Sequence, residues 1–261
     1  MSRSGVVRYG VIGSGRIGRR LVQRLPGAVA VLARDPAPAG LDPALVCTSL
    51  EAFIARQPGI AVECASATAL AEFGPALLAA GIDLVPLSLT ALADAAVERR
   101  LMAAAEQGPG CLEIAPGAIA TLDLLAAARE EGLRRVVYRQ LKSPAMWRLT
   151  PAAGLADLDS VVERTVFFRG SVRDVARRFP NNLNTSVGVA LAGLGLDATE
   201  AELIADPALS ETAHELDVYA APGIAMLRLG GREVPPDGDP ADYTTFSLIR
   251  LLRRRDARVR V

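Results

Sequence analysis

Residues 6–27 read VVRYGVIGSGRIGRRLVQRLPG, and the fold turns on them. The β-rich run Val6–Ile12 leads into Gly13-Ser14-Gly15-Arg16-Ile17-Gly18, and apolar residues recur at Ile17, Leu21, Val22 and Leu25. That recurrence is helical, and Pro26-Gly27 stops the helix before a second strand, Val29–Ala33. A bare GxGxxG is common by chance, but this one sits between a strand and an amphipathic helix, as a βαβ dinucleotide site requires. Gly13 allows the tight turn, Gly15 lets backbone approach a pyrophosphate, and Gly18 lets helix and strand pack closely. The helix N-terminus supplies N–H groups and partial positive charge. Residues 13–18 are therefore the predicted phosphate-binding turn.

The end of the second strand bears on which dinucleotide is held. An NAD site places Asp or Glu there for the ribose 2′-hydroxyl. This strand ends in Ala33-Arg34-Asp35, with Ala33 where the acid is expected. A guanidinium at Arg34 can clamp a 2′-phosphate, so NADP is favoured over NAD. Asp35 keeps NAD open if the register shifts by two. The alternation then continues: strand Ile60–Cys64, helix Ala67–Ala80, strand Leu84–Ser88, helix Leu92–Glu106 and strand Cys111–Ile114. Strands alternating with helices indicate a parallel sheet. Open sheets of this kind bind ligands at the carboxyl ends of their strands, which makes Ala65, Ser66, Ser88 and Leu89 candidate cofactor contacts.

Composition narrows the class. The 261 residues are ample for two modest domains, and 29 basic residues balance 29 acidic ones, which with few aromatics argues against a nucleic-acid surface. No apolar run approaches the length of a membrane span, and MSRSGVVRYG lacks a secretory hydrophobic region. Cys47, Cys64 and Cys111 read as reduced, buried thiols of a cytoplasmic protein, and with one histidine they make no zinc site of ordinary spacing. No metal is expected. Among the basic residues only Lys142 is lysine. Where arginine is the default cation, an isolated lysine is a candidate for work that needs a compact amine.

Beyond residue 115 the pattern loosens. A helix (Ile119–Glu131), a strand (Arg134–Gln140), a loop carrying Lys142 and Trp147, and a strand (Val161–Phe168) precede two further strand candidates. The predicted architecture is α/β: a Rossmann-type parallel sheet in residues 1–115, then a smaller α+β domain in 116–240. The apolar stretch Thr245–Leu252 is a predicted helix, and the tail 241–261 packs back on the first domain. The chain's single histidine, His214, opens the strand His214–Ala220 on the same side as Leu216 and Val218. Alternation alone suits either a core imidazole or a reactive one. Pro222-Gly223 turns the chain into Ile224–Leu229.

At this level the chain resembles the L-aspartate dehydrogenases, whose fold is related to that of homoserine dehydrogenases. The resemblance covers nearly the whole sequence: GSGRIG, ECASATAL, LSLTALAD, APGAIATLDLL, LKSP, FRGSVRDVARRFPNNLNTSVGVALAGLG, IADPALSETAHELDV and PGIAMLRL. Its most specific part is GSVRDVARRFPNNLN followed by ADP and then a histidine. The resemblance implies that Ala118 and Asn184 contact the nicotinamide half of the coenzyme and that His214 is the catalytic histidine. Lys142 occupies the lysine of the family's RKxP-like segment, here QLKSP, and a homodimer is implied. The implied reaction is hydride exchange with the Cα of an amino acid, with ammonia and a 2-oxo acid on the other side. An imidazole with an ordinary pKa of about 6.5 would serve it as general acid–base.

Two departures stand out. DPADYTTFS replaces the family's NPKTS-like segment, and Thr90 stands where glycine is usual. Two other readings stay open on the sequence: an NADP-dependent reductase of a different amino acid, 2-oxo acid or imine, and a nucleotide-binding scaffold without activity.

Overall fold

The computed structural model describes residues 6–119, 121–130, 132–180, 183–230 and 242–260. They fall into two units, Met1–Gly117 with Tyr243–Val261, and Ala118–Asp242.

The first unit is built on β1 (Tyr9–Ile12), α1 (Arg16–Arg24) and β2 (Ala28–Leu32). β3 (Val46–Cys47), α2 (Leu50–Ala55), β4 (Ile60–Glu63), α3 (Ala67–Ala79), β5 (Asp83–Pro86) and α4 (Ala95–Gln107) follow. The five strands lie in the order β3-β2-β1-β4-β5, and every pair is parallel. The order reverses direction on either side of β1, so the turn after β1 opens where such sheets bind ligands. The strands are short and buried on both faces, as parallel strands covered by helices must be. One core gathers Tyr9, Val11, Leu21, Val31, Ile60, Val62 and Val85. The same core takes in Leu248, Ile249, Leu251 and Leu252 of α9 (Tyr243–Asp256), so this C-terminal helix completes the first unit. Arg255 anchors its end by ion pairs to Asp83 (2.6 Å) and Glu113.

The second unit comprises α5 (Leu122–Glu130), β6 (Leu133–Lys142), α6 (Pro144–Arg148), β7 (Thr165–Ser171), α7 (Val172–Arg178) and α8 (Asn184–Ala192). β8 (Glu200–Ala205), β9 (Ala213–Ala220) and β10 (Gly223–Gly230) complete it. Its sheet is mixed, ordered β10-β9-β6-β8-β7, with β6 and β8 parallel and the other neighbours antiparallel. The ten-residue β6 is central. One of its faces carries Val136, Tyr138, Gln140 and Lys142, all buried, on the side that α5, α6, α7 and α8 cover. The other carries Arg135 and Arg139 into an ion-pair lattice.

Several sequence expectations need correction. The helix expected from Leu92 starts at Ala95: Leu89–Ala93 form a 3-10 turn, and Asp94 then caps α4 through the Ala96 and Val97 N–H groups. Cys111–Ile114 is no strand but a single bridge from Leu112 to Leu84. The strand placed at Val161–Phe168 begins four residues later, at Thr165. Lys142 is the last residue of a strand rather than part of a loop, because β6 keeps pairing with β8 as far as Ala205. The helix from Ile119 begins at Leu122, with residues 120 and 131 of that reading outside the described set. Cys47 is buried as expected, but Cys111 is exposed.

Candidate functional site

In the first unit the glycine turn has the geometry that dinucleotide binding needs. Gly13 adopts φ +111°, a conformation that side chains disfavour, and a Cβ there would sit 3.1 Å from the Ala65 backbone. A Cβ on Gly18 would lie 2.2 Å from the Gly13 carbonyl oxygen, so helix and turn pack only with glycine. At Gly15 a Cβ would meet nothing within 4 Å. Gly15 also caps α1 without any side-chain hydrogen bond. An open backbone at an uncapped helix N-terminus is a cradle for phosphate oxygens, and the residues present fit a dinucleotide. Ser14, Arg16 and Ile17 belong to the same turn and first helical turn. Arg34 is exposed just past β2, and the neighbouring Asp35 carboxylate accepts from the Ala37 N–H at 2.9 Å.

The next two strand ends are tied together by a residue that sequence reading passed over. Glu63 is fully buried at the carboxyl end of β4. Its Oε1 accepts from the N–H groups of Ala65 (2.7 Å) and Ser66 (2.9 Å) and from the Ser88 hydroxyl (2.9 Å); its Oε2 accepts from the Ser88 N–H (3.0 Å). Burial pushes this carboxyl up, and the four hydrogen bonds oppose that shift. One carboxylate thus holds Ala65, Ser66 and Ser88 in place, while Ser66 caps α3 through the Ala69 N–H. The available signal was a lone acid inside the apolar run IAVECA.

In the second unit, antiparallel pairing sets His214 opposite Gln140. Side chains alternate, so His214 shares the buried face of Tyr138, Gln140 and Lys142, the first and last being its diagonal neighbours. The Tyr138 hydroxyl lies 2.7 Å from His214 Nδ1. Lys142 Nζ stands 4.9 Å from the centre of the Trp147 ring, a cation–π distance. Trp147 is fixed in turn by its Nε1–H, which donates to the Ile204 carbonyl at 2.7 Å, and by an edge contact with Phe167. Gln140 Oε1 is buried without a hydrogen-bond partner among the described residues.

The electrostatics follow from burial. Loss of water, with the nearby Lys142 ammonium as the smaller cause, pushes the His214 imidazole down to about 4. Burial likewise lowers Lys142 and raises the Tyr138 phenol. The ordinary imidazole expected from sequence is thus replaced by one held neutral at physiological pH. The chain's only lysine and only histidine are brought onto one face, with Tyr138 as a hydrogen-bonded partner and Gln140 as a neighbour in register, both missed by sequence reading. Asn184 opens α8, which packs against α5 and α7, and Ala118 lies in the turn that begins the second unit.

A parallel sheet with a glycine phosphate turn, joined in one chain to a mixed sheet bearing a partly buried imidazole and a buried amine, defines a dinucleotide-dependent dehydrogenase of two units. Residues 9–112 match the family described as homoserine dehydrogenase, NAD binding domain, and residues 123–255 that described as aspartate dehydrogenase, C-terminal. An L-aspartate dehydrogenase of Serratia proteamaculans is 40% identical over 251 residues, covering 94% of this chain and 95% of the relative. One of Cupriavidus necator is 36% identical, covering 96% and 98%. The crystal structure of aspartate dehydrogenase from Thermotoga maritima shares the fold at TM-score 0.78 and 23% identity, over 98% of this chain and 99% of that one. The chain belongs to the L-aspartate dehydrogenase family.

Proposed function

We propose that the chain is an NAD(P)-dependent L-aspartate dehydrogenase, with NADP as the favoured coenzyme. In the oxidative direction, hydride leaves Cα of aspartate and a proton leaves its nitrogen. Water hydrolyses the resulting imine to oxaloacetate and ammonia; reductive amination is the reverse. The observation that carries this reading is the placement of Lys142 and His214 on one buried sheet face, in a chain of this family.

The nicotinamide, when bound, supplies the hydride acceptor or donor. The chain's own residues bind, orient and exclude water. The turn at Gly13–Gly18 holds the pyrophosphate, Arg34 takes the 2′-phosphate, and Ala65, Ser66, Ser88 and Leu89 line the strand ends along the coenzyme. Ala118 and Asn184 are assigned to its nicotinamide half. Lys142 pairs with a substrate carboxylate, and His214 does the polar work at the C=O or C=N group. The working form is a homodimer.

A panel of 2-oxo acids with ammonia, followed by NADPH absorbance, tests the substrate. Rapid oxidation with oxaloacetate alone is expected, and preference for another acid overturns aspartate as substrate. His214→Ala should lower turnover by about two to four orders of magnitude, the usual worth of a group positioned to exchange a proton with, or donate a hydrogen bond to, the reacting oxygen or nitrogen, with coenzyme affinity retained. A strong kinetic preference for NAD would remove the role of Arg34. The departure at DPADYTTFS favours a second reading, a reductase of a different amino or 2-oxo acid, and the same panel decides between them.

A further inference from the structure

We propose that Tyr138 is a positioning residue that holds His214 as a neutral imidazole, with Nδ1 accepting from the phenol and Nε2–H left as the donor toward the substrate. The proposal rests on the catalytic reading of His214 above. It assigns that residue a hydrogen-bond donor's role in place of proton shuttling through an imidazolium.

Three observations carry it. First, the Tyr138 hydroxyl lies 2.7 Å from Nδ1, and among the described residues it has no other hydrogen-bond partner. Tyr138 is fully buried. A buried hydroxyl proton without an acceptor is costly, so the phenol donates to Nδ1. In a neutral ring this puts the remaining proton on Nε2. Second, the bond is built by register. Tyr138 and His214 project from adjacent strands onto one face, with Gln140 directly opposite His214, so the contact does not depend on a loop. Third, the surroundings oppose a second positive charge, because the Lys142 ammonium shares that face. Its proximity and the loss of water both favour the uncharged ring.

A neutral N–H donor suits the chemistry. Nε2–H can polarise the 2-oxo oxygen of the keto acid as ammonia adds, and it can hold the oxygen of the hydrated imine in the other direction. A lowered imidazole pKa keeps such a donor in one protonation state through the working pH range, a pattern known from other enzymes that polarise carbonyls with neutral histidine. Tyr138 adds direction, because a ring held at Nδ1 cannot flip and present the wrong nitrogen.

His214 is the only histidine in the chain, so its two ring nitrogens give the only imidazole signals in a nitrogen-15 spectrum of the full-length protein. At neutral pH the wild-type spectrum should show an unprotonated, hydrogen-bonded Nδ1 and a protonated Nε2. In Tyr138→Phe the Nδ1 resonance should move to the position of a free acceptor. Turnover should fall about ten- to a hundredfold, the usual scale for losing a partner that orients a functional histidine, with coenzyme KM changed less than twofold. A protonated Nδ1 in the wild type overturns the proposal even if the variant does not fold. So does an unshifted Nδ1, or undiminished turnover, in a folded Tyr138→Phe protein. Loss of turnover in His214→Ala with none in Tyr138→Phe overturns this proposal alone, whereas full turnover in both overturns the catalytic reading on which it rests.

Discussion

His214 and Lys142 are two groups that become cations when protonated, and their strands place them on one buried face. Neither charge is well hydrated, and the Lys142 ammonium further disfavours a charge on the imidazole. The imidazole therefore titrates near 4 in the folded chain, against about 6.5 when unfolded. Between those values the unfolded chain holds a proton that the native chain refuses, so this site's contribution to stability falls as pH drops through the window and is complete above it. Urea unfolding should show wild type losing about 2 kcal/mol more than His214→Gln between about pH 7 and pH 5, from the roughly 1.5 pH units between the unfolded midpoint and pH 5 at about 1.4 kcal/mol per unit. Equal losses would mean a solvated ring. Lys142→Met should raise the imidazole midpoint only in part, because burial is the larger cause. From sequence, both residues stood out as singletons of their type. Their neighbours did not, since a tyrosine and a glutamine in VVYRQLK look like ordinary strand residues until the register of β6 and β9 is known.

The loops after β4 and β5 depend on one another through Glu63. Its two oxygens face four donors, three on Oε1 and one on Oε2, and only a carboxylate can accept at both. Glu63→Gln replaces one acceptor by an NH2 group, which must oppose either the Ser88 N–H or the donors of Ala65 and Ser66. An unmet buried donor costs about 1–3 kcal/mol. If those loops line the coenzyme, calorimetry should show NADPH binding weakened about tenfold or more, with a smaller loss for Ser88→Ala, which keeps the backbone bond. Unchanged affinity in a folded Glu63→Gln protein would detach these loops from the coenzyme. The loops themselves were legible, because strand-then-helix periodicity marks strand ends. β3 and α2 escaped notice: two residues of strand and six of helix carry too little periodicity to register.

Across the whole molecule, legibility follows sequence distance. The first unit is made of consecutive βαβ steps, so local pattern also fixes which strands are neighbours. In the second unit β6 pairs with β8 and β9, about 60 to 90 residues onward, and no local pattern announces such partners. Among the described residues, that sheet leaves one face uncovered by its own helices. There Arg139 bridges Glu202 and Asp217, Arg164 pairs with Glu215, and Arg169 also reaches Glu202. Alongside, on the same face, Ile224 is 62% and Met226 71% exposed. Both signs of charge in rows, edged by apolar side chains, make a surface that can meet its own copy about a two-fold axis. If this face joins the proposed homodimer, light scattering should give twice the 27.4 kDa chain mass. Ile224→Glu with Met226→Glu should return the mass to one chain without unfolding it, since neither residue is buried. A dimer that survives the double change must use another surface, and a wild-type monomer at working concentration removes the homodimer itself.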